Sequence, residues 1–292
     1  MDSFRISGCG TALVTPFKDG QVDYESFANL VRRQVSAGID FLLPLGTTGE
    51  TPCLTDQERI KVYQIARENA AGKPVIVGVG TNSLQATLAN VRLFEPYAPD
   101  AYLVVAPYYN KPSQEGLYQY FKAIAEASSK PIILYNVPGR TGSNITAETT
   151  LRLAQVPNVV GIKEASGNYA QIAAVIKNRP EDFMVFSGND EETLSLMSTG
   201  ADGVISVASN IAPAHMCALA HALLDNKMDL ARELHYKLWD LFRNCFVESN
   251  PLPVKAGLAY MGLIENELRL PLVPASESTY VIMKDTIDHL FE

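Results

Sequence analysis

Eight short apolar runs punctuate the chain, at residues 10–14, 41–45, 75–79, 101–106, 132–135, 159–163, 183–187 and 203–207. Between them, apolar residues recur every three or four positions, as in Phe27, Leu30, Val31 and Val35, or Ile60, Val62, Tyr63, Ile65 and Ala66. A continuous apolar run predicts a parallel strand buried on both faces, and a 3.6-residue period predicts a helix. Thr55-Asp56-Gln57-Glu58 has the form of a capping box that opens the second helix. Eight strand–helix units in roughly 225 residues match the rhythm of a (β/α)8 barrel, which takes about 250. A doubly wound sheet is the rival, but it rarely runs to eight evenly spaced units. No Gly-x-Gly-x-x-Gly follows the first run and no Gly-x-x-x-x-Gly-Lys-Ser/Thr occurs anywhere. After residue 225 the strand pattern stops, and 228–247, 253–261 and 276–291 read as helices. The expected organisation is a catalytic barrel over 1–225 and a C-terminal helical region over 226–292.

Charge and composition exclude several classes of function. Against 24 Lys and Arg stand 32 Asp and Glu, a net charge of −8, and no basic run interrupts the chain. Such a protein is a poor binder of nucleic acid or of an anionic membrane. No run of 18 apolar residues offers a membrane span, and Met1-Asp2-Ser3-Phe4-Arg5 lacks the basic and apolar regions of a secretion signal. Cys9, Cys53, Cys217 and Cys245 are scattered, without a Cys-x-x-Cys pair, as in a reduced, cytoplasmic protein. His215, His221, His235 and His289 fall in predicted helices without the carboxylate spacing of a metal site, so no metal or other cofactor is expected.

In a parallel barrel the chemistry stands at the C-terminal ends of the strands. The sixth run, Val159-Val160-Gly161-Ile162, ends in Lys163. Burial disfavours an ammonium and frees the neutral amine to attack a carbonyl. Taken alone, Lys163 better fits a loop lysine whose stem packs while its head reaches water. The second run ends in Gly46-Thr47-Thr48-Gly49-Glu50, a turn whose amides and hydroxyls suit a small anion. The fifth ends in Tyr135-Asn136-Val137-Pro138-Gly139-Arg140-Thr141, with a phenol able to move protons and a guanidinium able to clamp a carboxylate. The fourth ends in Tyr108-Tyr109, a pair that reads as packing or interface; the seventh ends in Ser187-Gly188-Asn189-Asp190; the eighth contains Ile205-Ser206. Together these groups predict Schiff-base catalysis on a keto acid. The Gly-Thr-Thr turn would hold its carboxylate, and Arg140 would hold a second acidic substrate.

The same segments, with Gly161-Ile162-Lys163-Glu164-Ala165, Gly203-Val204-Ile205-Ser206 and Asn250-Pro251-Leu252-Pro253-Val254-Lys255, make the whole chain resemble the dihydrodipicolinate synthase family. The Gly-Thr-Thr-Gly-Glu turn and the lysine strand are shared with N-acetylneuraminate lyase and keto-deoxy-sugar-acid aldolases; Arg140 in its setting is the narrower feature. The resemblance implies condensation of pyruvate with L-aspartate 4-semialdehyde, in the diaminopimelate route to lysine, through a covalent pyruvate imine and no separate cofactor. It implies that Lys163 forms the imine, that Tyr135 relays protons, and that Thr47 links Tyr135 to a Tyr109 supplied by a neighbouring subunit of a homotetramer. It further implies that Thr48 and the backbone around Ile205 hold the pyruvate carboxylate, that Arg140 positions the semialdehyde, and that Gly188 lines the edge of the site.

The chain departs from the feedback-inhibited family members, which bind L-lysine through a His and a Glu. The aligned positions hold Arg59 and Ala86, with Asp56 at a third, while Asn82 and Tyr108 are retained. Without a carboxylate partner for the ammonium, inhibition by lysine is expected to be weak or absent. Two alternatives stand beside the synthase reading: another pyruvate-dependent aldolase, acting on a sugar acid or a hydroxy-oxoglutarate, and a catalytically silent, pyruvate-binding barrel. Arg140 argues against the first, and the full set of rim groups against the second.

Overall fold

The computed structural model of the chain describes residues 4–292. The reading of the N-terminus as signal-free rests in part on Met1, Asp2 and Ser3, which lie outside the described residues. Eight strands are present at the eight apolar runs: β1 (Gly8–Ala12), β2 (Phe41–Leu43), β3 (Ile76–Gly78), β4 (Ala101–Val105), β5 (Ile132–Asn136), β6 (Val159–Glu164), β7 (Met184–Ser187) and β8 (Gly203–Ser206). Each lies within two residues of its predicted bounds, because Gly, Pro and polar residues bracket the runs and stop the extended pattern.

The residues divide into two compact units, one formed by Ile76–Ile205 with the segment ending at Ser7, the other by Gly8–Val75 and Ser206–Glu292. In the first unit β3 to β8 lie side by side in chain order. Their registers are parallel throughout: Val77 faces Tyr102, Leu103 faces Ile133, Tyr135 faces Lys163, Lys163 faces Phe186, and Gly203 again faces Phe186 from the other neighbour. Helices follow the strands at Leu84–Phe94, Gln114–Ala127, Ala147–Leu153, Tyr169–Asn178 and Thr193–Ser198. A strand covered on both faces has no solvent side for polar residues. Ile76, Val104, Ile133, Leu134, Ile162 and Val185 are accordingly fully buried, and each contributes about 1.5–3 kcal/mol through the water it sheds.

In the second unit β1 pairs in parallel with β2, Gly10 facing Phe41, and Leu42 bridges to Val75. Gly10 is required by that approach: a methyl there would stand 2.0 Å from the Phe41 ring. A two-residue hairpin pairs Phe17–Lys18 with Gln21–Val22. Helix Asp56–Asn69 opens with the anticipated capping box, Thr55 accepting from the Glu58 amide and Glu58 accepting from the Thr55 amide.

The C-terminal helices run Met228–Lys237, Trp239–Asn244, Leu252–Tyr260 and Glu277–Phe291. The single helix expected over 228–247 is thus interrupted at Leu238. The irregularity is slight, since Leu238 still donates to Leu234 and Phe242 still donates to Leu238, both at 3.0 Å. Neither Pro nor Gly stands there to announce it.

Candidate active site

Strand pleating sorts the end of β6 into two environments. Successive side chains on a strand point to opposite faces, and residues in register share a face. Lys163 therefore stands with Tyr135, and Glu164 with Asn136. Lys163 is only 5% exposed, and its Nζ lies 4.6 Å from the centre of the Tyr135 ring. Burial lowers the Lys163 pKa to about 8; the charge of Asp190 opposes that shift and the charge of Arg140 adds to it. A lysine with that pKa is about one-tenth neutral at pH 7 and about nine-tenths neutral at pH 9. The rate of imine formation with a keto acid is expected to rise through pH 8 and level off above pH 9. Stopped-flow mixing with pyruvate over pH 6–10 reads this directly, and an inflection near pH 10 would contradict it.

Gly188, the first residue after β7, closes over the lysine stem. Gly188 donates its amide to the Glu164 carbonyl at 2.7 Å. A methyl at Gly188 would stand 2.8 Å from the Ala165 methyl, 3.0 Å from Lys163 Cε and 3.1 Å from the Glu164 carbonyl oxygen. The flexible lysine yields most readily of the three. Gly188→Ala is expected to displace Nζ and to lower turnover on the order of 10²-fold, since an ångström of misplacement costs that much. Steady-state kinetics and a circular-dichroism melt together distinguish this from unfolding.

Arg140 lies exposed on a single helical turn, Pro138–Thr141, which ends at Gly142 in the left-handed region (φ 69°). The following loop is pinned from several sides. Thr141 Oγ1 donates to the Ser143 carbonyl, Ser143 Oγ donates to the Pro107 carbonyl, and Gln114 Nε2 donates to the Asn144 carbonyl. Tyr109 donates its amide to the Thr141 carbonyl at 3.2 Å while holding φ at 74°, an uncommon conformation for a non-glycine residue. Its side chain is 89% exposed. Ile205 is fully buried within β8.

The second unit holds the Gly-Thr-Thr-Gly-Glu turn. Gly46 is extended and Thr47–Gly49 form one tight helical turn that Glu50 ends in the left-handed region (φ 51°). Thr47 is exposed, whereas Thr48 is 2% exposed and accepts a 2.9 Å hydrogen bond from Asn250 Nδ2. Because Thr48 Oγ1 accepts that bond, its own hydrogen remains available to a second acceptor. Beneath the turn, Glu50 Oε1 receives Lys255 Nζ at 2.6 Å, both side chains fully buried. Lys255 also donates to the Thr15 carbonyl at 2.9 Å and sits 4.3 Å above the Phe17 ring. Thr15 Oγ1 donates to the Gly49 carbonyl, so the pair and Thr15 together brace the C-terminal end of the turn.

Lys163, Tyr135, Arg140, Tyr109, Gly188 and Ile205 thus belong to the first unit, where Lys163 meets Tyr135 and Gly188, and Thr47 and Thr48 belong to the second. Asn250, Lys255, Asn136 and Glu164 are supporting residues to which the sequence reading gave no role. Two of them carry a legible signal in retrospect: Lys255 interrupts Leu252-Pro253-Val254 and Ala256-Gly257-Leu258, and Glu164 comes two residues after the apolar run Val159-Val160-Gly161-Ile162. A charge in such company is buried only when paired or well hydrogen-bonded. Among the described residues no group of three His, Cys, Asp or Glu side chains is placed to hold a metal ion. No disulfide joins Cys9, Cys53, Cys217 or Cys245.

A buried lysine of depressed pKa at the end of a parallel strand, beside a phenol, belongs to the class I aldolase type of lyase. The model of the dihydrodipicolinate synthetase family matches residues 5–290, and the chain belongs to that family. It is 51% identical over 285 residues to the 4-hydroxy-tetrahydrodipicolinate synthase of Thermotoga neapolitana, covering 96% of this chain and 97% of that one. The solved dihydrodipicolinate synthase of Thermotoga maritima aligns with a TM-score of 0.96 at 49% identity, over 98% of this chain and 99% of that chain. The dihydrodipicolinate synthase of Acinetobacter baumannii, solved in complex with pyruvate, aligns with a TM-score of 0.96 at 41% identity, over 98% and 99%. The fold is the (β/α)8 barrel with C-terminal helices that the eight apolar runs predict.

Proposed function

We propose that the protein is a 4-hydroxy-tetrahydrodipicolinate synthase, which condenses pyruvate with L-aspartate 4-semialdehyde in the cytoplasm. The observation that carries this reading is Lys163, buried, lowered to about pKa 8 and stacked against Tyr135, in a chain half identical to named synthases along nearly its full length. The neutral Lys163 amine attacks the pyruvate ketone, and loss of water leaves the protonated imine. Thr48 and the backbone around Ile205 hold the pyruvate carboxylate. Loss of a methyl proton gives the enamine, whose carbon bonds to the semialdehyde aldehyde while Tyr135 returns a proton to the new alkoxide. Arg140 holds the semialdehyde carboxylate, and its exposure makes the guanidinium accessible to it. The substrate's own amine then adds to the imine carbon and expels Lys163, closing the ring. No metal or organic cofactor enters these steps.

Tyr109 supports a reading in which the site is completed by a second copy. A phenol that is 89% exposed and held at a costly φ is presented outward, where another chain can meet it. We place it in the proton relay of a neighbouring subunit, through Thr47, in a homotetramer of two tight dimers.

The test is a coupled assay with both substrates, accompanied by borohydride reduction in the presence of pyruvate and mass analysis of the peptide bearing Lys163. Turnover together with a reduced pyruvate adduct on Lys163 is the expected result. Absence of the adduct removes the imine mechanism, and an adduct without turnover points to another pyruvate-dependent aldolase. The same assay with millimolar L-lysine is expected to show little inhibition. Arg59 is mostly buried and already paired with Asp56 at 3.0 Å, and with Ala86 it stands where family members that bind lysine have a His and a Glu, so no carboxylate is offered there to the ligand's ammonium. Inhibition at sub-millimolar lysine would refute this.

A further inference from the structure

Glu164 is a buried carboxylate that the proposed chemistry does not use. It is 1% exposed and follows Lys163 on the opposite face of β6. Its partners are neutral. Oε1 accepts from the Ser166 amide at 2.9 Å and from Asn136 Nδ2 at 3.0 Å; Oε2 accepts from Asn136 Nδ2 at 3.2 Å and from Gln171 Nε2 at 3.3 Å. Burial raises its pKa, against the pull of these hydrogen bonds. A carboxylate is expensive to keep in such a place, and what it organises is the loop that follows Arg140.

Asn136, itself fully buried, carries the connection. Its Oδ1 accepts from the Ile145 amide at 2.9 Å, and its Nδ2 lies 2.9 Å from Asn144 Oδ1 and 3.4 Å from the Ile145 carbonyl. An amide group has two hydrogens, yet Nδ2 has four acceptors within reach, so Glu164 competes directly with the loop for them. Gln171 closes the ring: its Oε1 accepts from Asn144 Nδ2 at 2.8 Å, and its Nε2 reaches both Asn144 Oδ1 and Glu164. Through Ser143 and Thr141 the same loop anchors Pro107 and the Tyr109 amide.

We infer that Glu164 is a positioning residue for the second substrate: by fixing the orientation of the Asn136 and Gln171 amides it holds the Asn144–Ile145 segment, and with it the turn that presents Arg140. The inference rests on the reading of Arg140 as the anchor of the semialdehyde carboxylate. It separates Glu164 from its neighbour in the chain, since Lys163 serves the first half-reaction and Glu164 the second.

Three variants test it in the full-length protein. Glu164→Gln keeps the shape but points an NH2 group at donors. It is expected to raise the KM for aspartate semialdehyde about tenfold while kcat, the KM for pyruvate and the yield of borohydride-trapped pyruvate on Lys163 stay within about twofold. Asn144→Ala cuts the same connection at a half-buried position and should give the same split even where Glu164→Gln folds poorly. An unchanged semialdehyde KM in Asn144→Ala, or a parallel fall in pyruvate trapping in Glu164→Gln, overturns the inference. Arg140→Ala is the reference. If it leaves the semialdehyde KM unaltered, the reading of Arg140 fails; if it raises that KM and the other two variants do not, only the role of Glu164 fails.

Discussion

Lys163→Ala is expected to lower the rate of condensation at least about 10³-fold and to abolish the borohydride-trapped pyruvate adduct. The size follows from what the amine supplies. It converts the methyl group of pyruvate into an enamine carbon, and neither Tyr135 nor Arg140 offers a second nucleophile for that step. The fold should survive. Removing the side chain leaves a small cavity, but it also removes an amine whose charged form is disfavoured where it lies. The two terms oppose one another, so a melting temperature within a few degrees of the parent is the expected companion result. Retention of more than about a tenth of the parent activity would mean that the chemistry does not pass through this amine.

Lys255→Met should act in the opposite sense, on stability before activity. The substitution approximates the volume but leaves the Glu50 carboxyl group fully buried and without its cationic partner. Its remaining bond, from the Arg269 amide at 3.2 Å, is to a neutral group. Breaking one side of a buried ion pair costs about 3–5 kcal/mol, a large share of the 5–15 kcal/mol that holds a typical domain together. The midpoint of urea denaturation should fall accordingly. In the double variant Glu50→Gln/Lys255→Met no charge is stranded, and much of the loss should return. A single variant within about 1 kcal/mol of the parent would show that the pair is not the brace inferred for the Gly-Thr-Thr-Gly-Glu turn.

How much of the site was readable in advance depended on the type of interaction. Lys163 and Tyr135 were legible because each ends an apolar run, and Thr48 and Arg140 because they stand in the turns that follow such runs. Glu164 and Lys255 were not, although they sit within the very motifs that were read. Their apolar neighbours mark a strand-end glutamate and a helical lysine as buried charges, but no local pattern says which group is the partner. Their partners lie 28 and 205 positions away in the chain, at Asn136 and Glu50. The break at Leu238 was also silent, because the residue is an ordinary helix former and the change is a small one in packing.

Hydrophobic periodicity is a local property, and it determined the element count, the parallel strands, the helical tail and the residues that could reach the rim. The pKa of Lys163, the occlusion at Gly188, the left-handed Tyr109 and the two buried carboxylate networks were decided only by the tertiary structure. Each of these depends on desolvation and hydrogen bonding among groups far apart in sequence, and those energies exist only once the chain has closed around them.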